Sequence, residues 1–305
     1  MVEVPGSSPV VPTTCLLLLF GKVAPQDMEI VLALVAATVF GVADYSGGRA
    51  ARTVHPMVVT FVGQCGGFLV LLAIAIASRA TLPPITDWVW GGVAGVLGAT
   101  GLLAFYRAMG SGYMTVVAPV SAVTATAIPV IVGLATGERP GVLALLGIPV
   151  AVVAIALVSD VLGPDHRKAP PLVLWLAIIS GCGFGTIFVI LGHTTDGSGM
   201  WPVVAMRVAS IPFMFVVIKL RKEKLSTARA NLRYVLASGI LDSSANGIYL
   251  LAVRQGLMSI VSTINSFYPA STLMLATKLD GEKIHRSQAV GLLFAAVSLT
   301  LISVS

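Results

Sequence analysis

The sequence predicts an all-α integral membrane protein, ten transmembrane helices arranged as two inverted five-helix repeats. Three observations lead there. The composition is too apolar for a water-soluble domain, ten apolar stretches alternate with short polar connections, and one offset, interrupted only near the second helix at Pro56 and Pro202, relates the two halves of the chain.

Of the 305 residues 56% are hydrophobic and only 10% charged, with a mean hydropathy of +0.95; a soluble domain carries roughly a quarter charged residues. Such a chain cannot cover its surface with polar groups, so lipid is its solvent and membrane lipid its first partner. The net charge of +6 does not point to nucleic acid, because the cations sit in short loops, where they act as topology signals and meet anionic headgroups. Cys15, Cys65 and Cys182 have no paired spacing, which argues against a disulfide framework or a metal site. No cofactor is implied.

Read from the N-terminus, residues 1–27 are an extension of a different kind. Val10 to Phe20 is apolar but short for a span and lacks the basic start of a signal peptide. It is expected to be an over-extended start or a short surface helix, dispensable for insertion. Helices are then predicted at 28–48, 56–77, 88–108, 112–135, 141–158, 171–192, 201–218, 234–254, 257–277 and 287–303, bounded by charges and Gly/Pro clusters. The longest connection, Lys219 to Arg233, is too small for a catalytic domain.

The repeat is read by subtraction. Gly112 and Gly256, Met114 and Met258, Val117 and Val261, Glu138 and Glu282, and Gly147 and Gly291 all differ by 144, as do Gly95 and Gly239 and the pair Phe40-Gly41 with Phe184-Gly185. The halves are 28–159 and 171–303. Five spans is an odd number, so the second half enters the membrane from the opposite face, the arrangement from which alternating access arises. Fourteen Lys and Arg lie on the face reached after the odd-numbered helices. Four, Lys22, Arg79, Arg139 and Arg254, lie on the other. The positive-inside rule then places both termini outside the cytoplasm of a multi-pass plasma-membrane protein.

Phe105-Tyr-Arg-Ala-Met, Val117-Ala-Pro-Val-Ser, and Gly137-Glu-Arg-Pro with Gly147 resemble the repeat of the EamA-type drug/metabolite transporters, and Tyr268-Pro-Ala, Gly281-Glu-Lys and Gly291 are similar in the second half. Phe40-Gly-Val-Ala-Asp-Tyr-Ser-Gly-Gly resembles the first helix of one branch of that superfamily. The resemblance spans 28–303. It implies ten helices, a central cavity between the repeats, and export of small metabolites or drugs, often driven by protons. It also implies cytoplasmic termini, which the charge count opposes.

Polar groups inside apolar helices cost a few kcal/mol and tend to face a cavity or a partner. Asp242 lies about 12 Å into the eighth helix, with Asn246 and Tyr249 on the same face at i+4 and i+7. It is the leading candidate for the proton-coupling or substrate-orienting carboxylate, Asp44 the next. Arg207 either pairs with Asp242 or snorkels to the nearer interface; Asp44 either faces the cavity or pairs with Arg49. Ser121 and Thr124 in the fourth helix and Ser262, Asn265 and Tyr268 in the ninth form a second polar set, beside Pro119, Pro129 and Pro269, which remove backbone donors. Gln64 adds an amide. Together these residues predict a cavity suited to an uncharged polar or zwitterionic compound. Glu138 and Glu282 are expected to cap the helices that follow them, and Gly91, Gly95 and Gly98 to admit a close helix neighbour.

The transporter reading has two rivals. An intramembrane enzyme needs a nucleophile elbow, a zinc motif or clustered histidines, and the sequence has none of these. A scaffold or receptor leaves unexplained why polar residues recur inside both halves.

Overall fold

A computed structural model of the protein describes residues 28–111, 114–158, 170–279 and 285–304. The extension 1–27, Glu282 and the side chain of Pro119 lie outside the described residues. Among the described residues there are helices and no strands. The first half contains α1 (Met28–Ala51), α2 (Pro56–Ala77), α3 (Ile85–Gly110), α4 (Met114–Ala135) and α5 (Val142–Val158). The second contains α6 (Pro171–Gly192), α7 (Trp201–Arg221), α8 (Leu232–Val253), α9 (Met258–Asn265), α10 (Tyr268–Leu279) and α11 (Arg286–Ser303).

Local sequence explains most boundaries. Pro56, Pro171 and Pro202 stand in the first turns of α2, α6 and α7, where a missing N–H costs nothing. His55 caps α2, its ring nitrogen accepting from the Met57 N–H at 3.3 Å. The connection 219–233 is shorter than expected, since α7 runs to Arg221 and Leu225–Asn231 is a 3-10 helix.

The ninth helix, expected to be continuous over 257–277, is broken at Ser266-Phe267 into α9 and α10. Pro269 supplies the reason. It has no N–H to offer the carbonyl of Asn265, and its ring collides with that carbonyl in a continuous helix. The equivalent position in the first half is Ala125, and α4 runs unbroken through it.

Among the described residues six helical segments are long and apolar enough to cross a membrane. Large apolar side chains such as Leu69, Ile76, Trp90, Trp175 and Leu220 point outward, while Asp44, Gln64, Arg207, Asn246 and Asn265 are buried. That distribution suits a lipid surround and a polar interior.

Packing between the halves is reciprocal. α1 lies on α8 as α6 lies on α3; α2 meets α8 as α7 meets α3; α4 packs on α6 as α9 and α10 pack on α1; and α5 pairs with α11. These main contacts come in exchanged pairs between the two halves. Small residues set how closely the helices cross. At the α2–α8 crossing a Cβ on Gly239 would collide with the Gly63 carbonyl, so the backbones touch directly. Hydroxyls add polar ties: Thr272 donates to the Gly41 carbonyl (3.2 Å), joining α10 to α1, and Ser298 to the Gly147 carbonyl (2.8 Å), joining α11 to α5.

Candidate functional site

A cavity of about 30 Å³ lies between the halves, lined by α1, α2, α3, α6, α7, α8 and α10. Its polar wall is Asp44, Gln64, Arg207, Asp242, Asn246 and Tyr268, and its apolar wall is Phe40, Leu102, Phe184, Ile187, Phe188 and Met206, with Gly95 and Gly98. The offset of 144 relates these walls. Phe40 matches Phe184, Asp44 matches Phe188, Gly98 matches Asp242 and Leu102 matches Asn246. Three of these four matched pairs carry a polar side chain on one member and an apolar residue on the other. A symmetric frame therefore holds an amphipathic site.

Of the two alternatives for Arg207, pairing is the one observed. Its terminal nitrogen donates to the Asp242 carboxylate at 2.6 Å and its Nε to the Ser243 hydroxyl at 3.1 Å. The Asn246 amide donates to the Asp242 backbone carbonyl at 2.8 Å, an i to i−4 bond within α8. Asp44 is buried and does not pair with Arg49, whose guanidinium donates to the Tyr45 hydroxyl (2.7 Å) and lies 5.2 Å from the centre of the Tyr234 ring. Among the described residues neither amide atom of Gln64 has a hydrogen-bond partner, and the Tyr268 hydroxyl meets Ser121 without a well-formed hydrogen bond. Buried polar groups are nearly always paired with protein or water, so this concentration of unpaired ones around one cavity marks a place for a polar guest.

The other sequence-predicted residues lie elsewhere. Tyr249 shares a helix face with Asp242 but sits about 10 Å further along the axis. Its hydroxyl donates to the Phe188 carbonyl (3.2 Å) and bonds the Ser262 hydroxyl (2.8 Å), and its ring stacks on Phe188 at 4.5 Å. Phe188 thus stands between Tyr249 and the cavity. Ser121 accepts from the Ser180 hydroxyl at 2.7 Å, tying α4 to α6. Thr124 donates to its own helix at the Val120 carbonyl (2.7 Å) and packs where Gly181 leaves room. Asn265 is fully buried at the α9–α10 break with both amide atoms unpaired, off the cavity wall. The second polar set is thus mainly interhelical contact, and of it only Tyr268 reaches the cavity.

Glu138 is also corrected. It caps α9 of the opposite half and not the helix that follows it: its carboxylate accepts from the Met258 N–H (2.7 Å) and the Ser259 N–H (3.0 Å). Leu257 at the N-cap has no side-chain acceptor to offer. Gly137, with φ +103°, turns the chain so that Glu138 can reach across. Further ties close the same end: the Asp87 carboxylate accepts from the Thr195 N–H (3.0 Å), and Arg254 donates to the Gly199 and Thr195 carbonyls, both at 3.0 Å. Gly91, Gly95 and Gly98 do admit close neighbours, Ala205, Met206 and Ile187.

A family model described as the EamA-like transporter family matches residues 27–160 and again 171–304. The chain belongs to the EamA-like transporter family. It is accordingly a multi-pass membrane protein of the drug/metabolite transporter superfamily. A solved structure described only as "Crystal structure of protein" superimposes with a TM-score of 0.72, covering 90% of this chain and 97% of that one at 14% identity, a likeness of fold alone. No curated protein matches the chain.

In this EamA-like protein the missed site residues are the apolar ones. Nothing in an isolated Phe or Ile within an apolar helix singles it out. The repeat could have done so, since Phe184 and Phe188 are the counterparts of Phe40 and Asp44.

Proposed function

We propose that the protein is a secondary active transporter that exports small polar or amphipathic compounds by alternating access, coupled to protons, from the plasma membrane. The observation that carries this reading is the cavity of unpaired polar groups held at the reciprocal interface of two repeats. α9 and α10 together would make one crossing, completing ten spans in two inverted sets of five. Rocking of one set against the other about a pseudo-two-fold axis would expose the cavity to each face in turn. The cavity is far below the roughly 300–1,000 Å³ of a ligand site, so a substrate is admitted only when the halves part. By the charge distribution the end tied by Glu138, Asp87 and Arg254 faces outward.

The test is reconstitution. Purified protein in liposomes should accumulate a labelled substrate against its gradient when a pH gradient is imposed, and lose that accumulation when a protonophore is added. A compound that binds the purified protein yet never crosses in proteoliposomes would sink the transporter reading in favour of a receptor.

A further inference from the structure

Of the hydroxyls and amides that suggested an uncharged or zwitterionic substrate, Gln64, Asn246 and Tyr268 line the cavity and the others do not. Ser121, Thr124, Ser262 and Asn265 all lie off its wall. On the wall itself three charged groups, the carboxylates Asp44 and Asp242 and the guanidinium of Arg207, stand beside the neutral Gln64, Asn246 and Tyr268. Arg207 is committed to Asp242 and Ser243. Asp44 has no hydrogen-bond or ion-pair partner among the described residues, is 7% exposed, and lines the cavity.

We propose that the cavity is a monocation site, which takes a small organic amine with an aromatic or aliphatic body, its charge on the Asp44 carboxylate and its body against Phe40, Phe184 and Phe188. This deepens the transporter reading and rests on the same cavity.

The argument is one of compensation. An isolated buried carboxylate costs several kcal/mol, so the site is satisfied only when one positive charge joins Asp44. That charge is a proton or a cationic guest, and the two exclude each other. An anionic guest meets the opposite situation, since the single wall cation is already neutralised. The apolar wall supports the same choice. Phe40 and Phe188 meet edge to face at 6.1 Å and Phe184 packs on Phe105 at 5.8 Å, giving ring surfaces that attract a desolvated ammonium. The Gln64 amide oxygen and the Tyr268 hydroxyl oxygen supply acceptors for the remaining ammonium hydrogens.

Competition with protons depends on what surrounds Asp44. α8 presents Asp242, α7 presents Arg207, α3 presents Tyr106 and α10 presents Tyr268, while α2 contributes the neutral Gln64 and α9 has no titratable side chain. Arg207 and Asp242 cancel, and the tyrosines are neutral. Asp44 is left to exchange a proton for the amine.

The experiment uses the purified full chain in detergent and three probes of one shape, phenethylamine, 2-phenylethanol and phenylacetate, read by thermal shift and by titration of intrinsic fluorescence. Phenethylamine should bind at least about tenfold more tightly than the other two, a margin expected for one compensated charge. Its affinity should fall by up to about tenfold per pH unit as protons compete. Asp44→Asn should lose this preference and its pH dependence, and Asp44→Glu should keep both. Asp44→Asn is expected to fold, because the carboxylate it replaces holds no partner. Binding of phenylacetate or phenylethanol as tightly as the amine, binding of none of the three, or an amine preference that survives Asp44→Asn overturns the proposal. A stabilisation by sodium over potassium at equal ionic strength that needs Asp44 also overturns it, in favour of an inorganic ion. The two readings fail separately: amine binding without transport removes the transporter and leaves the cation site, while transport of an anionic compound does the reverse.

Discussion

Replacing Asp242 by asparagine isolates the energetics of the site. The side chain of Arg207 is 4% exposed and that of Asp242 14%, and Asp242, at 2.6 Å, is the guanidinium's only charged partner among the described residues. Asparagine keeps the shape and removes the charge, leaving a cation buried with the Ser243 hydroxyl and an amide. Breaking a buried pair from one side costs about 3–5 kcal/mol. Removing both charges leaves nothing uncompensated, so Arg207→Gln in the same chain should recover most of that loss, with a coupling of up to about 3 kcal/mol. The assay is reversible unfolding in mixed micelles by denaturing detergent, run on the wild type, both single variants and the double variant. A loss under about 1 kcal/mol for Asp242→Asn, or a double variant that merely sums the singles, would refute the view that this pair is held by its charges. The same variant in proteoliposomes separates structure from coupling. If Asp242 carries the transported proton, pH-driven accumulation is abolished in protein that still folds. If accumulation persists, coupling passes to Asp44.

Three more outcomes are expected. Glu138→Gln weakens two charge-assisted bonds, each worth about 1.5–3 kcal/mol, and should open the end they close; a cysteine at Leu257 should then react with a maleimide faster than in the parent, and an unchanged rate argues against a closing role. Gly239→Val should abolish recovery of folded, monodisperse protein, because its Cβ meets the Gly63 carbonyl, whereas Gly92→Ala, where a Cβ meets only Ala209 at 3.5 Å, should melt within about 1 kcal/mol of the parent; equal behaviour of the two contradicts the crossing geometry. A reporter fused after Ser305 should be active outside the cytoplasm, as the charge asymmetry requires, and cytoplasmic activity reverses the orientation.

The membrane class and the repeat were legible in the sequence, because they depend on composition and subtraction, as was the place of Asp242, Arg207 and Gln64 within their helices, which depends on rise per residue. Those quantities are local or periodic. Which neighbour each helix face meets is neither. Spacing placed Tyr249 with Asp242, and only the packing of Phe188 between them separated Tyr249 from the cavity. Ser121 and Thr124 looked like site residues because a hydroxyl within a helix has the same signature whether it lines a cavity, bonds a side chain of the next helix or bonds a carbonyl of its own. Glu138 was legible as a cap, since a carboxylate favours a helix N-terminus, but not as the cap of α9, which lies 120 residues away in the chain. The break at Pro269 follows from chemistry that the sequence displays, whereas the unpaired side-chain amide of Asn265 beside it depends on the helices around it. The sequence alone thus determined the solvent, the symmetry and the inventory of polar groups. The tertiary structure decided which of them are already satisfied: Arg207 pairs with Asp242, and Asp44 is left without a partner among the described residues, because pairing depends on distances between helices that no periodicity within one helix contains.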